Sequence, residues 1–328
     1  MFSAIPFAYS EVGFRCLRVL LDRGVEVPLV FTHQDAPNER LWFGNVAQLA
    51  TERGIEVVSP LDPNRPEWIE RVAALEPDYL FSFYYRSLLD PALLGTARRG
   101  ALNMHGSLLP KYRGRAPVNW AILNGERTTG ATLHFMVDKP DAGPIVAQQA
   151  VAIGIDDTAL DVSMAVAQAA AELLERSLPM LAAGVPAAQP MDIAAGSYFG
   201  GRKPEDGRID WSWPASRIHN LIRAVAPPFP GAFADRGTQR IVFESSRWTG
   251  GSAAVHAAAA PCLYVEKKRH LYLDCADGIR LEIPSLTING TWLDAREFAR
   301  RYGHGALSLT HSPGLEVSAH EKAAHTRR

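Results

Sequence analysis

Asn103–Trp120 reads NMHGSLLPKYRGRAPVNW, is entered through Ala101-Leu102, and is followed after a gap by Asp141-Ala142-Gly143. Ala101–His105 alternates apolar and polar residues as a short strand does, and Gly106 stops it. Side chains on a strand repeat every two residues, so Asn103 and His105 point to one face and can converge on one reacting group. An amide, an imidazole, a glycine turn, three cationic side chains and a later acidic turn thus fall where a strand of a parallel sheet ends. In such sheets that is where ligands bind.

Upstream, Ser3–Tyr9 is apolar enough for an opening strand, with Pro6 awkward inside it. Val12–Asp22 has helical spacing at Val12, Cys16, Val19 and Leu20 and ends at Gly24. Val25–Thr32 and Glu56–Ser59 read as strands, Trp42–Arg53 and Trp68–Leu75 as helices, and Tyr79–Phe83 as a buried strand. Downstream, Ala116–Leu123 reads as a helix and Ala131–Val137 and Ile145–Ile153 as strands. This alternation predicts an α/β fold: a Rossmann-like, mainly parallel sheet with helices on both faces.

Thr158–Asp161 fits a capping box before a helix running to about Arg176, and the Ala-, Pro- and Gly-rich Gly184–Gly196 reads as a linker. Beyond it, Ile209–Trp213 suggests a short strand and Ser216–Ala224 a helix. Ile241–Arg247, Cys262–Val265, His270–Cys275 and Ile279–Pro284 then read as short strands of a small, β-rich, barrel-like (OB-like) domain. The expected division is therefore residues 1–203, residues 204–312, and a disordered tail over 313–328.

The 328 residues carry 34 Lys plus Arg against 35 Asp plus Glu, a balance that points to neither general nucleic-acid nor membrane affinity. Cys16, Cys262 and Cys275 are far apart and odd in number, which argues against a disulfide framework and offers no CxxC pair for zinc. No basic segment followed by an apolar run and a cleavage site opens the chain, and Leu160–Val185 carries four charges, so neither a signal peptide nor a membrane span is expected. A cytoplasmic enzyme fits these properties.

The chemistry legible in the opening stretch is acyl transfer. His105 can take a proton from an attacking amine, an Asn103 amide N–H can stabilise an oxyanion, and a carboxylate such as Asp141 can orient His105 or receive the proton. Arg113 and Arg115 lie in a Pro- and Gly-punctuated loop ahead of a helix, a natural anion site, whereas Lys111 reads as a solvated lysine. There is no P-loop and no GxGxxG, so NTP hydrolysis and standard dinucleotide binding lack support. His134 sits alone on a strand, where a core or surface role is expected. The other histidines are scattered, and no metal site is expected.

The same residues resemble the 10-formyltetrahydrofolate-dependent formyltransferase family, whose Asn, His and later Asp correspond here to Asn103, His105 and Asp141. The resemblance extends through FAYSEVG at Phe7–Gly13, FSFYYR at Phe81–Arg86, SLLPKYRGRAPVNW, DAGPIVAQ at Asp141–Gln148, FGGRKP at Phe199–Pro204 and RAVAPPFPGAF at Arg223–Phe233. It is greatest to the domain that formylates UDP-4-amino-4-deoxy-L-arabinose in lipid A modification and polymyxin resistance. It implies 10-formyltetrahydrofolate as co-substrate, lying against Arg86, Ser87 and Leu88 and against the loop containing Asp138, Ala142 and Gly143. It also implies a nucleotide-sugar diphosphate near Arg115, Asn119 and Arg202, with no nucleic acid partner and no membrane insertion.

The competing family member is methionyl-tRNA formyltransferase, whose usual RGAAP contrasts with Arg113-Gly114-Arg115-Ala116-Pro117 here. A tRNA enzyme also needs a basic surface, and His33–Trp42 holds only Arg40 against Asp35 and Glu39. Phe43 and Gly201 stand where the arabinose-pathway pattern has Tyr and Arg, which leaves other amino sugars or small amines open as acceptors. A non-catalytic folate- or nucleotide-sugar-binding module does not fit the intact trio.

Overall fold

The computed structural model describes residues 2–35, 41–252, 261–266, 269–303 and 305–309. Residues 2–207 with Arg223–Gly231 form one compact unit, and Arg208–Ile222 with residues 232–309 form a second. The first carries β1 (Ala4–Ala8), α1 (Ser10–Asp22), β2 (Leu29–Phe31), α2 (Val46–Glu52), β3 (Glu56–Val58), α3 (Pro66–Ala74), β4 (Tyr79–Phe83), α4 (Pro91–Leu94) and β5 (Gly100–His105). It continues with β6 (Arg113–Gly114), α5 (Pro117–Leu123), β7 (Thr128–Phe135), β8 (Ile145–Ala152), α6 (Ala159–Ala183) and β9 (Tyr198–Phe199).

Seven strands form one sheet in the order β3-β2-β1-β4-β5-β7-β8. Pairing is parallel from β3 to β5, and antiparallel from β5 through β7 to β8. Strand periodicity sorts the side chains into two cores. Ala4, Ala8, Tyr79, Phe81, Phe83, Leu102 and Met104 join the apolar faces of α1, α5 and α6. Ile5, Phe7, Leu29, Phe31, Leu80 and Ala101 pack against α3 and α4 on the other face. Helices therefore cover both faces, as the alternation predicts.

The awkward Pro6 does lie inside a central strand, and the ladder shows how. Ala4 N–H donates to Glu26 O, so even-numbered residues of β1 turn their N–H groups toward β2. Pro6 has none to give on that side, and β1 keeps one register pair with β2 against five with β4. Other elements depart from expectation in length. The second strand shortens to Leu29–Phe31, and the helix expected over Trp42–Arg53 begins at Val46, where the Asn45 side chain accepts from Gln48 N–H.

The Thr158–Asp161 capping box is present in both halves, but α6 runs past Arg176 and through Pro179 to Ala183. Burial of Leu178 and Leu181 offsets the interior proline, and Tyr79 Oη donates to Leu181 O and to Gly184 O at the end of the helix.

The second unit contains α7 (Ala215–Ala224) as far as Ile222, β10 (Ala232–Arg236), β11 (Gln239–Phe243), β12 (Arg247–Ser252), β13 (Cys262–Glu266) and β14 (His270–Asp274). It ends with β15 (Ile279–Glu282), β16 (Leu286–Ile288), β17 (Thr291–Leu293), α8 (Ala295–Tyr302) and β18 (Leu307–Ser308). These strands make two antiparallel sheets, β10-β11-β16-β17 and β12-β15-β14-β13-β18.

Ile209–Trp213 is not the strand expected. Ile209 N–H bonds Phe233 O, but Asp210 then folds the chain into a turn by accepting from Ser212 N–H. The run Ile241–Arg247 also divides, ending β11 at Phe243 and opening β12 at Arg247. The tail expected over 313–328 lies outside the described residues. Among the described residues no helix is long and apolar enough to cross a membrane.

Candidate active site

Asn103 and His105 share one face of β5, as the strand period requires, and Asp141 arrives from the turn joining β7 to β8. Asp141 holds φ +50, a left-handed conformation that Asp tolerates better than most residues. Gly143 must be glycine, because a Cβ there would stand 2.0 Å from Phe135 O. The turn thereby aims the Asp141 carboxylate back at β5.

Asp141 Oδ1 lies 3.3 Å from Asn103 Nδ2, 3.5 Å from His105 Nδ1 and 3.6 Å from His134 Nε2. Its other oxygen accepts the Gly114 N–H at 2.9 Å, which draws in the loop carrying Arg113 and Arg115. One carboxylate therefore gathers the sequence-derived trio and adds a fourth residue. His134 was expected to be a lone core or surface histidine. It stands directly opposite Asn103 in the β5–β7 register, 1% exposed, so two histidines meet at one acid.

Hydrogen-bond partners set the tautomers. His105 Nε2 is 2.8 Å from Tyr112 O, and a carbonyl only accepts, so the proton is on Nε2 and the Nδ1 lone pair faces Asp141. A proton gained by His105 is then shared with the carboxylate. Burial lowers the His105 imidazole below its ordinary range, against the pull of Asp141. Burial pushes the Asp141 carboxyl up, yet His105, His134 and the Gly114 N–H together outweigh it and hold it well below the usual carboxylate range. The cluster thus pairs a fixed anion with a base that is free at neutral pH.

Asn103 uses both amide hydrogens within the cluster, one toward His134 Nε2 at 3.1 Å and one toward Asp141. Expectation gave an Asn103 N–H to an oxyanion. In this state Oδ1 is the Asn103 atom without a hydrogen-bond partner among the described residues.

The Ser107–Tyr112 loop is held from below by residues the sequence did not single out. Thr132 Oγ1 donates to Ser107 O at 2.6 Å and accepts from Leu109 N–H, and Gln148 Nε2 donates to Leu109 O. These bonds tie the loop to β7 and β8, which fixes Tyr112 O where His105 needs it.

The outer residues fall into two groups. Arg86 follows β4, with its N–H donating to His33 Nε2 at 3.0 Å and its guanidinium over the Tyr9 ring. Leu88 is largely exposed, and Asn64 holds its carbonyl. Asp138 is exposed, Ala142 half-buried and Gly143 buried on the Asp141 turn.

On the other side, Arg115 N–H bonds Phe199 O and the Arg115 side chain lies against Gly201, with no acidic partner among the described residues. Arg202 stacks 4.9 Å over Trp120, whose ring stacks on Phe199. Asn119 is less available. Its Nδ2 donates to Ala224 O at 2.7 Å and ties α5 to the Arg223–Gly231 segment. Arg40 and Glu39 lie outside the described residues.

A family model described as formyl transferase matches residues 18–178, and one described as the formyl transferase C-terminal domain matches residues 202–303. Solved structures share the fold. An N-formyltransferase from Helicobacter canadensis, in complex with folinic acid and dTDP-3-aminofucose, is 20% identical with TM-score 0.67, covering 86% of this chain and 99% of that one. A sugar 3N-formyl transferase in the presence of dTDP and 5-N-formyl-THF is 18% identical with TM-score 0.67, covering 86% and 97%. HypX from Aquifex aeolicus is 17% identical with TM-score 0.58, covering 97% of this chain and 50% of that one.

Proposed function

The chain belongs to the formyl transferase family and is a formyltransferase, and on that premise we propose that it moves a formyl group from 10-formyltetrahydrofolate to the amine of a nucleotide-linked amino sugar. UDP-4-amino-4-deoxy-L-arabinose is the acceptor proposed, with the reaction in the cytoplasm and the chemistry in residues 1–203. The observation that carries this reading is the single carboxylate of Asp141 facing Asn103, His105 and His134 at the end of β5.

In the proposed transfer, Asn103 Oδ1 accepts an N–H of the amine and aligns its lone pair on the formyl carbon. A new N–C bond forms, and the amine gives up its proton to His105 Nδ1, where Asp141 stabilises the imidazolium. The bond from the formyl carbon to the folate nitrogen breaks, and that nitrogen takes the same proton. Atoms and charge balance without any further reactant. Arg86, Ser87, Leu88 and the Asp138–Gly143 turn would hold the folate. Arg115 and Arg202 would meet the diphosphate, with Trp120 and Phe199 as an aromatic wall beside them. Asn119 would support that wall through its bond to Ala224 O.

The test presents UDP-4-amino-4-deoxy-L-arabinose, a dTDP-linked 3-amino sugar and charged initiator methionyl-tRNA side by side, following tetrahydrofolate release. Turnover on the UDP sugar with the highest kcat/KM supports the reading. Preference for the dTDP sugar moves the acceptor within the class, and formylation of the tRNA alone overturns it. Arg115→Ala is expected to raise KM for the nucleotide sugar about 10- to 100-fold, the worth of one charged hydrogen bond, with kcat little changed.

A further inference from the structure

His134 takes no part in the transfer as proposed, yet it is the most deeply buried polar group of the cluster. We propose that His134 is a positioning residue that decides which end of the Asn103 carboxamide meets the reactants, an inference that rests on the function proposed above.

Phe135 O lies 2.8 Å from His134 Nδ1, and a carbonyl accepts only, so Nδ1 carries the ring proton. A neutral ring then presents a bare Nε2, an acceptor 3.1 Å from Asn103 Nδ2. The Asn103 nitrogen must therefore turn toward His134, and Oδ1 turns to the other side. Flipping the carboxamide would set its oxygen against the His134 lone pair and the Asp141 carboxylate together, two acceptor-to-acceptor contacts beside a ring that is 1% exposed. Asp141 supplies the same bias at a longer distance, 3.3 Å against 3.1 Å. His134 is the nearer of the two partners. The pairing is built into the sheet, because Asn103 and His134 are direct register partners.

Three substitutions separate positioning from packing. His134→Gln keeps an acceptor at the outer ring position, where Asn103 donates. His134→Asn keeps polar atoms only at the inner position, where Phe135 O lies, and His134→Leu keeps neither. We expect kcat to fall about 10- to 100-fold in the Asn and Leu variants, as removal of an orienting partner typically does, while KM for both substrates holds and Gln restores most of the rate. Equal losses in Gln and Asn, or native kcat in Leu, would overturn the proposal. If the Leu variant fails to fold, the Gln and Asn pair decides.

A second readout is independent of turnover. Nitrogen-15 shifts of the His134 ring in the native protein should report a protonated Nδ1 and a bare Nε2. The opposite tautomer overturns the proposal even if formyl transfer is observed. If no acceptor is turned over, the functional reading falls and the ring shifts alone judge His134.

Discussion

Asp141→Asn is expected to lower turnover by about 1,000- to 10,000-fold while the protein stays folded and still binds folinic acid. The substitution keeps the size of the side chain, and its remaining oxygen can still accept from Gly114 N–H. It removes the anion that His105 Nδ1 faces at 3.5 Å, so an imidazolium formed during the reaction loses its counter-charge. The pH dependence gives a sharper signature. Burial lowers the His105 imidazole and Asp141 pulls it back up, so the acid limb of kcat/KM in the native enzyme should lie below the ordinary imidazole range. Without Asp141 burial is opposed only by the bond to Tyr112 O, and what remains of that limb moves to lower pH. A limb that moves up, or that stays in place with full activity, contradicts the assignment.

Stability follows the same carboxylate with the opposite dependence. Because the folded state holds the Asp141 carboxyl below its unfolded value, its contribution is complete above roughly pH 4 and is lost as pH falls further. Asp141→Asn should remove that part of the acid sensitivity, as read from melting temperature against pH.

The second large effect is at His105, where two roles can be separated. Its Nε2–H holds Tyr112 O, and its Nδ1 handles the proton. His105→Gln places an amide N–H where Nε2–H was and keeps the loop bond, but it cannot take a proton. His105→Ala loses both. Turnover should fall about 100- to 10,000-fold in either variant. Only His105→Ala should also lose about 1–3 kcal/mol of stability, the cost of leaving buried Tyr112 O with only the long 3.5 Å bond from Ser107 Oγ. Equal unfolding midpoints for the two would show that the Tyr112 bond carries no weight. A Gln variant with native turnover would remove His105 from the chemistry.

What the sequence disclosed follows from the range of its signals. The period of two along Ala101–His105 placed Asn103 and His105 on one face without help, since that depends only on neighbours in the chain. Asp141 was legible as a candidate partner from its chemistry and was strengthened by the resemblance, but no local rule joins a strand end to a turn so far downstream. His134 escaped notice because a histidine in the run ATLHF reads as core. What gives it a role is the antiparallel register that sets it against Asn103, and register between distant strands is not written in local periodicity. The signal that could have found it is its place on the strand leading straight into the Asp141 turn.

Pro179 escaped for a similar reason, and Pro6, awkward by local rules inside the strand expected there, is accommodated in the same way. Both obey their local penalties, but the cost is absorbed by tertiary context, a thin ladder on one side of β1 and the buried last turns of α6. The strand wrongly expected at Ile209–Trp213 is the converse, since Asp210 supplied a turn signal that the apolar neighbours concealed.

The formyl carbon itself offers the most direct test. With donor labelled by carbon-13 in the formyl group, the native protein should place the label on the nitrogen of UDP-4-amino-4-deoxy-L-arabinose and release an equal amount of tetrahydrofolate. Folded Asp141→Asn should leave the label on the folate over the same period. Label appearing as free formate, or transfer by the Asn variant at the native rate, would contradict the account.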